Sequence, residues 1–243
     1  MNNKTIVIIP TYNEVENISR IIDLIILENQ HIDVLVVDDN SPDDTASLVV
    51  QKQNSYPDRV FLIKRLHKKG LGTAYIDGFK WSLKNKYDFI ISMDADFSHN
   101  PNELPKMLDN LHAGVDVMIG SRYINGVSVV NWPIGRILLS YFAQIYVRLI
   151  TNMPIKDPTS GFVAYKAKCI DSLDLDKFRF IGYAFQIEMK FKTWKYGFNV
   201  VEVPVIFTDR TEGTSKMSGG IFFEAVLGVI QMKVKSFFRS WNK

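Results

Sequence analysis

Two carboxylates separated by one residue follow an apolar run near the middle of the chain. Residues 89–93 have the length and the residue types of a buried β-strand, and Asp94 and Asp96 come directly after them. In an extended chain, side chains two residues apart lie on the same face, so both carboxylates can approach one point. Mg²⁺ and Mn²⁺ bind one or two carboxylates and leave their other positions to water and phosphate oxygens. The pair therefore indicates a metal-diphosphate site, although solvated acids at a strand end and helix caps use the same residue types.

The elements that must position this pair alternate between strand and helix patterns. Apolar runs of strand length lie at 5–9, 32–37, 60–64, 89–93 and 115–120, and helical patterns at 17–27, 43–53, 70–85 and 101–111. We expect Pro10 to end the first strand. The runs are apolar on both faces, which is typical of a parallel sheet between two layers of helices. Right-handed crossovers then bring the carboxyl ends of the strands to one edge, where open sheets bind ligands.

Three polar clusters follow strands of this predicted sheet. They span 10–14 (Pro-Thr-Tyr-Asn-Glu), 38–41 (Asp-Asp-Asn-Ser) and 94–96 (Asp-Ala-Asp). Each cluster alone has the composition of turns and helix caps. Because all three come after strands, we expect them to meet at the same edge and to form one ligand site.

A glycine pair opens the third helix and allows a different function. Gly70 and Gly72 follow a strand, as in part of a dinucleotide-binding fingerprint. The match is incomplete, because it lies in the third strand–helix unit and Tyr75 stands at the third glycine position. A tight turn with close helix packing is the simpler interpretation, and a dehydrogenase is the other. Lys68 and Lys69 can assist an anionic ligand at this helix start.

The second half of the chain adds helices and a basic segment. An apolar helix is predicted at 135–150, another helix at 182–196 and a late strand at 200–207. The polar segment 210–216 contains Gly213 and basic side chains, as expected of a mobile lid.

The C-terminal stretch 219–243 has apolar residues at helical spacing and several basic residues. It carries too much charge to span a bilayer and is suited to lie on a membrane surface; packing on the domain or on a second subunit is the alternative. We therefore divide the chain into a domain at 1–218 and an amphipathic helix at 219–243.

Composition indicates an ordinary globular protein and excludes several other classes. A chain of 243 residues, 47% hydrophobic and 23% charged, has the composition of one large globular domain. The net charge of +3 does not suggest nucleic acid, and Cys169, the single cysteine, leaves no internal disulfide and no zinc-type cluster. The first strand begins almost at once, which leaves no room for a secretory signal, and no apolar run has the length of a spanning helix. We expect a cytoplasmic protein, peripheral on the cytoplasmic face of the membrane.

The motifs together resemble those of a known family. They are Ile-Pro-Thr-Tyr-Asn-Glu at 9–14, Val-Asp-Asp-Asn-Ser-Pro-Asp at 37–43, Gly-Leu-Gly-Thr-Ala at 70–74, Met-Asp-Ala-Asp-Phe-Ser-His at 93–99, Gly-Ser-Arg-Tyr at 120–123, Asp-Pro-Thr-Ser-Gly-Phe at 157–162, Gly-Tyr-Ala-Phe-Gln-Ile-Glu-Met at 182–189 and Arg-Thr-Glu-Gly-Thr-Ser-Lys at 210–216. The chain resembles the family 2 glycosyltransferases with the nucleotide-diphospho-sugar (GT-A) fold, and within them the dolichol-phosphate (polyprenol-phosphate) mannosyltransferases. The Gln-x-x-Arg-Trp signature of processive polysaccharide synthases is missing, so we do not expect polymerisation. The C-terminal transmembrane pairs of some relatives are also missing, so we expect attachment to be peripheral or supplied by a partner subunit.

The resemblance implies a role for each matching position. The guanine nucleoside would be held by Pro10, Tyr12, Glu14, Asp39 and Val37. The metal, Mg²⁺ or Mn²⁺, would be held with the diphosphate by Asp94, Asp96 and Ser98, with Ala95 in the same turn. The acceptor phosphate and the sugar diphosphate would face Arg122, Arg136, Ser140, Arg210 and Lys216, and the catalytic set would be Asp96, Arg122, Arg210 and Lys216.

The implied reaction is metal-dependent transfer of mannose from GDP-mannose to a polyprenyl phosphate. A lipid monophosphate is already anionic, so this acceptor needs cations that hold it in line with the donor and no general base. We expect a single displacement that inverts the anomeric carbon, and a groove between the apolar helix and the C-terminal helix for the lipid. A UDP-sugar donor such as UDP-glucose is the close alternative, and an inactive membrane-bound scaffold is the alternative from another class.

Overall fold

The computed structural model describes residues 3–209, 219–238 and 241. Its strands are β1 Thr5–Thr11, β2 Ile32–Asp38, β3 Val60–Lys64, β4 Phe89–Ser92, β5 Val117–Ser121, β6 Val129–Val130, β7 Val163–Lys166, β8 Val200–Pro204 and β9 Phe207–Thr208. Its helices are α1 Ile18–Glu28, α2 Thr45–Ser55, α3 Leu71–Lys84, α4 Leu104–His112, α5 Ile134–Thr151, α6 Ala167–Asp171, α7 Tyr183–Lys195 and α8 Gly219–Ser236, with short 3₁₀ turns at Pro101–Glu103 and Leu175–Lys177.

Within the described residues, the main sheet has the strand order β3-β2-β1-β4-β7-β5-β8. β1 pairs in parallel with both β2 and β4, β2 with β3, and β5 with β8. β4, the strand that precedes the two carboxylates, is therefore the middle strand. The predicted mostly parallel sheet between helices is confirmed.

β7 runs antiparallel to both of its neighbours, β4 and β5. Val163, at its start, pairs in register with Ser92 at the end of β4 and with Ile119 in β5. Because β7 is reversed, the loop that precedes it, 157–161, lies at the edge where β4 and β5 end. This loop therefore joins the site residues that follow the parallel strands.

The sheet is buried on both faces, as its continuous apolar runs predict. Ile6 and Ile8 of β1 pack in a cluster with residues of α3, α5, α7 and α8. Val7 and Ile9 pack in a second cluster with residues of α1, α2 and α4. All four side chains have no exposed surface, since successive strand residues point into opposite helical layers.

Several boundaries differ from the predicted ones. Pro10 does not end the first strand: β1 continues to Thr11, with Pro10 opposite Val37. The predicted late strand at 200–207 is divided, because β9 leaves the main sheet and pairs with β6, which the sequence did not indicate.

The C-terminal helix packs on the rest of the protein. The hydroxyl of Tyr146 in α5 donates to the carbonyl oxygen of Val226 in α8 at 2.8 Å. Val229 and Met232 are buried, whereas Leu227 and Val234 on the same helix are half exposed or more. No helix in the described part of the chain is long and apolar enough to cross a membrane.

Candidate active site

The two carboxylates after β4 lie in a tight turn. The Asp96 carboxylate accepts hydrogen bonds from the backbone N–H of Ser98 at 3.2 Å and from its hydroxyl at 2.5 Å. Asp96 is 9% exposed, while the Asp94 side chain is 37% exposed. The phenol of Tyr75 is fully buried beside them. Its pKa is well above the ordinary value, mainly because of burial and secondly because of the negative charge of Asp94. The turn therefore presents one partly exposed carboxylate, Asp94, and one largely buried carboxylate, Asp96, with a neutral phenol behind them.

His99 lies in the same turn and is 3% exposed. Its Nδ1 accepts a hydrogen bond from the backbone N–H of Asp94 at 3.0 Å. Burial has the largest effect and lowers the pKa of His99 below its ordinary value, although Asp94 and Asp96 raise it. The ring is therefore neutral at pH 7, as acceptance by Nδ1 requires.

Arg122 leaves β5 and is held by Asp157 from the loop before β7. Asp157 accepts from the Arg122 backbone N–H at 2.9 Å, from Nε at 2.8 Å and from Nη2 at 2.7 Å. Nη2 also donates to the Thr159 hydroxyl at 2.8 Å. Burial alone would raise the pKa of Asp157, but the guanidinium and its N–H donors hold it below the ordinary value. Asp157 thus stays ionised and fixes the plane of the guanidinium.

Arg136, in the first turn of α5, is the second arginine of the site. Its Nη1 pairs with Asp209 at 2.7 Å, and its guanidinium lies 4.0 Å from the centre of the Trp132 ring. One turn further along α5, the Ser140 hydroxyl accepts from the Tyr123 hydroxyl at 2.7 Å. A β-strand end and a helix thus bring two arginines and a hydroxyl pair together.

The two carboxylates, His99, the two arginines and Ser140 line one cavity of about 450 Å³. Its polar end holds the predicted residues that the structure brings together: Asp94, Asp96, Ser98, Arg122, Arg136 and Ser140. Its other end is apolar and lies between α5, α7 and α8, with Leu139, Phe142, Ala143, Ile187, Val226 and Val229 in its walls. The arrangement can bind a molecule that joins an anionic group to an apolar one.

The residues predicted to hold the nucleoside lie at the ends of β1 and β2. Asp39 accepts from the backbone N–H groups of Lys69 at 3.0 Å and Gly70 at 2.9 Å, and pairs with Arg65 at 2.9 Å. Lys68 lies 3.6 Å from the centre of the Tyr12 ring. The glycine turn is therefore tied to the second polar cluster, and this part of the edge offers an aromatic ring beside cationic groups.

The remaining predicted residues have less direct positions. Glu14 accepts from the Asn17 side chain, Pro10 is partly buried within β1, and Val37 and Ala95 are buried in the core. Arg210 and Lys216, with the predicted lid at 210–216, lie outside the described residues. The proposed roles of all these residues stay predictions.

Sequence reasoning missed the partners that orient the site. Asp157, Thr159 and His99 appeared only within motifs, and Tyr75 only as the residue at the third glycine position. Asp157 is 35 residues from Arg122, and only the reversal of β7 brings the two together. The one available signal was the acidic residue that begins the Asp-Pro-Thr-Ser-Gly turn.

The carboxylate pair suits a divalent metal that a substrate helps to bind. Among the described residues, no group of three or more His, Cys, Asp or Glu side chains is placed to hold a metal. A Mg²⁺ or Mn²⁺ ion that keeps water and phosphate ligands requires only one or two carboxylates. The partly exposed Asp94 carboxylate, which lines the cavity with Asp96, meets that requirement.

Comparison with known proteins places the chain in a family. The sequence profile described as glycosyl transferase family 2 matches residues 6–173, which is more than half of the chain. The chain is a family 2 glycosyltransferase. This glycosyltransferase is 43% identical over 232 residues to the polyprenol monophosphomannose synthase of Mycolicibacterium smegmatis, covering 96% of this chain and 88% of that protein. It is 42% identical to the undecaprenyl-phosphate mannosyltransferase of Micrococcus luteus, covering 93% and 92% of the two chains.

Solved structures agree on the fold. Glucosyl-3-phosphoglycerate synthase from Mycobacterium tuberculosis, in complex with UDP, superposes with a TM-score of 0.73 at 16% identity, covering 96% of this glycosyltransferase and 80% of that chain. The same synthase has been solved with Mn²⁺, UDP and glucosyl-3-phosphoglycerate, at a TM-score of 0.69. At this identity the likeness concerns the GT-A fold alone, which confirms the predicted fold class.

Proposed function

We propose that this glycosyltransferase transfers mannose from GDP-mannose to a polyprenyl monophosphate in a reaction that depends on Mg²⁺ or Mn²⁺. The observation that carries the proposal is one cavity that holds two carboxylates and two arginines at its polar end and is apolar at its other end. The diphosphate of a nucleoside diphospho-sugar and the phosphate of a lipid phosphate need the charged end, and the lipid chain needs the apolar end. The names of the relatives at 42–43% identity support mannose as the sugar and a polyprenyl phosphate as the acceptor.

The chain's own groups divide the work by charge. Asp94 and Asp96 would hold the metal, which when bound neutralises the leaving diphosphate. Arg122, with its plane fixed by Asp157, and Arg136, stacked on Trp132, would bind the acceptor phosphate. Because the phosphate is already ionised, no side chain has to remove a proton, and orientation supplies the rate enhancement.

The acceptor lipid fits the outer surface of α5 and α8. Leu138 and Phe142 on α5 and Leu227 and Val234 on α8 are half exposed or more, beside the apolar end of the cavity. We propose that this surface contacts the cytoplasmic face of a membrane, where the lipid leaves the cavity. The domain at 1–218 would then carry the chemistry and the helix at 219–243 the membrane contact, alone or with an anchoring partner subunit.

The experiment is a transfer assay with short-chain polyprenyl phosphate, Mn²⁺ or Mg²⁺, and radiolabelled GDP-mannose beside UDP-glucose. We expect label from GDP-mannose to enter the organic phase, chelator to abolish transfer, and Asp96→Asn to lower kcat by about 100-fold. Asp109→Asn, which changes an exposed carboxylate on α4, is the matched control. Transfer from UDP-glucose alone would overturn the donor, and transfer that survives chelation would overturn the metal.

A further inference from the structure

His99 stands out because it is a buried polar side chain that touches the backbone of a proposed metal ligand. Its Nδ1 accepts a hydrogen bond of 3.0 Å from the backbone N–H of Asp94, which follows the central strand β4. With Nδ1 as acceptor, the proton of the neutral ring is on Nε2, and Nε2 lies 3.8 Å from the Asp94 carboxylate. One ring thus faces both the backbone and the side chain of Asp94.

The surroundings hold the His99 ring in place. It stacks on Phe162 with ring centres 5.0 Å apart and an interplanar angle of 12°, and Phe207 meets it edge-on at 5.6 Å. At Gly161 an added Cβ would lie 3.3 Å from the ring and 3.6 Å from the Asp94 carboxylate. The loop before β7 therefore packs on His99 and on Asp94 at the same time.

We propose that His99 is a positioning residue: its ring nitrogen fixes the turn that aims the Asp94 carboxylate at the metal and the diphosphate. This inference rests on the proposed function, since it assigns Asp94 to the metal. A backbone N–H without a partner would let the turn rotate about the end of β4, and the carboxylate would lose its preset direction. A carboxylate that is already held in the right direction loses less conformational entropy when it binds a metal. We therefore expect loss of the His99 hydrogen bond to lower the affinity for the metal.

Three substitutions separate the nitrogen acceptor from the ring. His99→Asn keeps an acceptor and removes the ring; His99→Leu has nearly the same shape as Asn and removes both; His99→Phe keeps the ring and removes the acceptor. His112→Leu, at an exposed histidine at the end of α4, is the control. Mn²⁺ titration of the protein in the presence of GDP, monitored by electron paramagnetic resonance, measures metal affinity independently of catalysis. Amide exchange of Asp94 reads the hydrogen bond itself.

We expect the Mn²⁺ dissociation constant to rise about 10-fold in the His99→Leu and His99→Phe variants and to stay within about threefold of the wild-type value in His99→Asn. The Asp94 amide should exchange faster only in His99→Leu and His99→Phe. Equal affinity in all variants, or equal loss in Asn and Leu with Phe unchanged, would overturn the inference in favour of plain ring packing. If one variant does not fold, the other acceptor-free variant makes the same comparison.

The failure of the proposed function looks different. If the proposed function is wrong, the wild-type protein itself will transfer sugar without added metal or will not bind Mn²⁺ in the presence of GDP. Either result would contradict the assignment of Asp94 to the metal, and with it the role of His99. Wild-type metal dependence with unaffected His99 variants would overturn the positioning role alone.

Discussion

A buried lysine lies under the same loop that orients Arg122. Lys190 has no exposed surface, and its amine donates to the Ser160 carbonyl at 2.6 Å and to the Gln186 carbonyl at 3.3 Å. Burial lowers its pKa to about 7; Asp157 and Glu202 raise the pKa, and Arg122 lowers it further. Lys190 therefore ties the 157–161 loop to α7 while its charge is disfavoured in the folded state.

This lowered pKa makes stability depend on pH with a defined sign. Between pH 7 and about 10.5 the unfolded chain holds a proton on Lys190 that the folded chain has lost, so the free energy of unfolding rises with pH, by at most about 1.4 kcal/mol per unit from this group. Relative to Lys190→Met, which lacks this titration, we expect the wild-type protein to gain stability from pH 7 to pH 10. Urea unfolding of both proteins at each pH measures the difference. A constant difference would contradict the lowered pKa, and Lys195→Met, on the same helix, is the control.

At the scale of elements, α8 meets the connection before α7 through a glycine. A Cβ built at Gly228 would lie 2.5 Å from Cε1 of Phe180 and 2.7 Å from Cζ, which is closer than real contacts allow. The absence of a side chain thus lets the C-terminal helix approach the segment that begins α7, and both helices line the cavity.

We therefore expect Gly228→Ala to lower the free energy of unfolding by about 1–3 kcal/mol, because the Phe180 ring must move in a packed region. Phe180→Leu in the same chain should recover part of that loss by removing the contact. Gly135→Ala, in α5, is the control: nothing lies within 4 Å of its Cβ position, and it should stabilise by about 0.4–1 kcal/mol. Chemical denaturation of the four proteins tests this, and an unchanged Gly228→Ala would show that the helices can separate freely.

Elements were more predictable than their directions and their partners. Residues 5–9 and 89–93 were recognisable as strands because their side chains are buried on both faces, and Asp94 and Asp96 were recognisable because they end such a run. Val163–Lys166 gave no sign that it runs antiparallel, since a run of three buried residues has the same pattern in either chain direction. The pairing of Arg122 with Asp157 depends on that reversal, so it was out of reach as well.

At the scale of the whole molecule, apolar side chains gather on the outer faces of α5 and α8. Leu138 is 50% exposed, Phe142 61% and Val234 50%. These helices contact each other through Tyr146 and Val226, so the exposed residues lie on two neighbouring helices. A surface of this kind on a chain whose proposed acceptor is a lipid suits a membrane.

We expect Phe142→Glu to weaken binding to vesicles of anionic and zwitterionic lipid by about 10-fold, because the carboxylate must be dehydrated at the membrane surface. Co-sedimentation with vesicles measures binding, and thermal unfolding checks that the fold is intact. Leu27→Glu, at a leucine on α1 that is 68% exposed and belongs to the other helical layer, should bind as the wild-type protein does. Equal losses in both variants would indicate a general charge effect instead of a membrane-facing side.

The reversed strand also has a modular consequence. The chain between β5 and β7 carries β6, α5 and the 157–161 loop, and it leaves and rejoins the sheet at one point, where the Gly120 N–H donates to the Phe162 carbonyl at 2.9 Å. A chimaera that replaces 122–162 therefore keeps every strand pairing of the main sheet, and the new segment must match His99, Lys190 and Glu202 as well as β9 and α8. Recombination at these two strand ends would let the proposed acceptor side of the site change while the proposed donor side stays as it is.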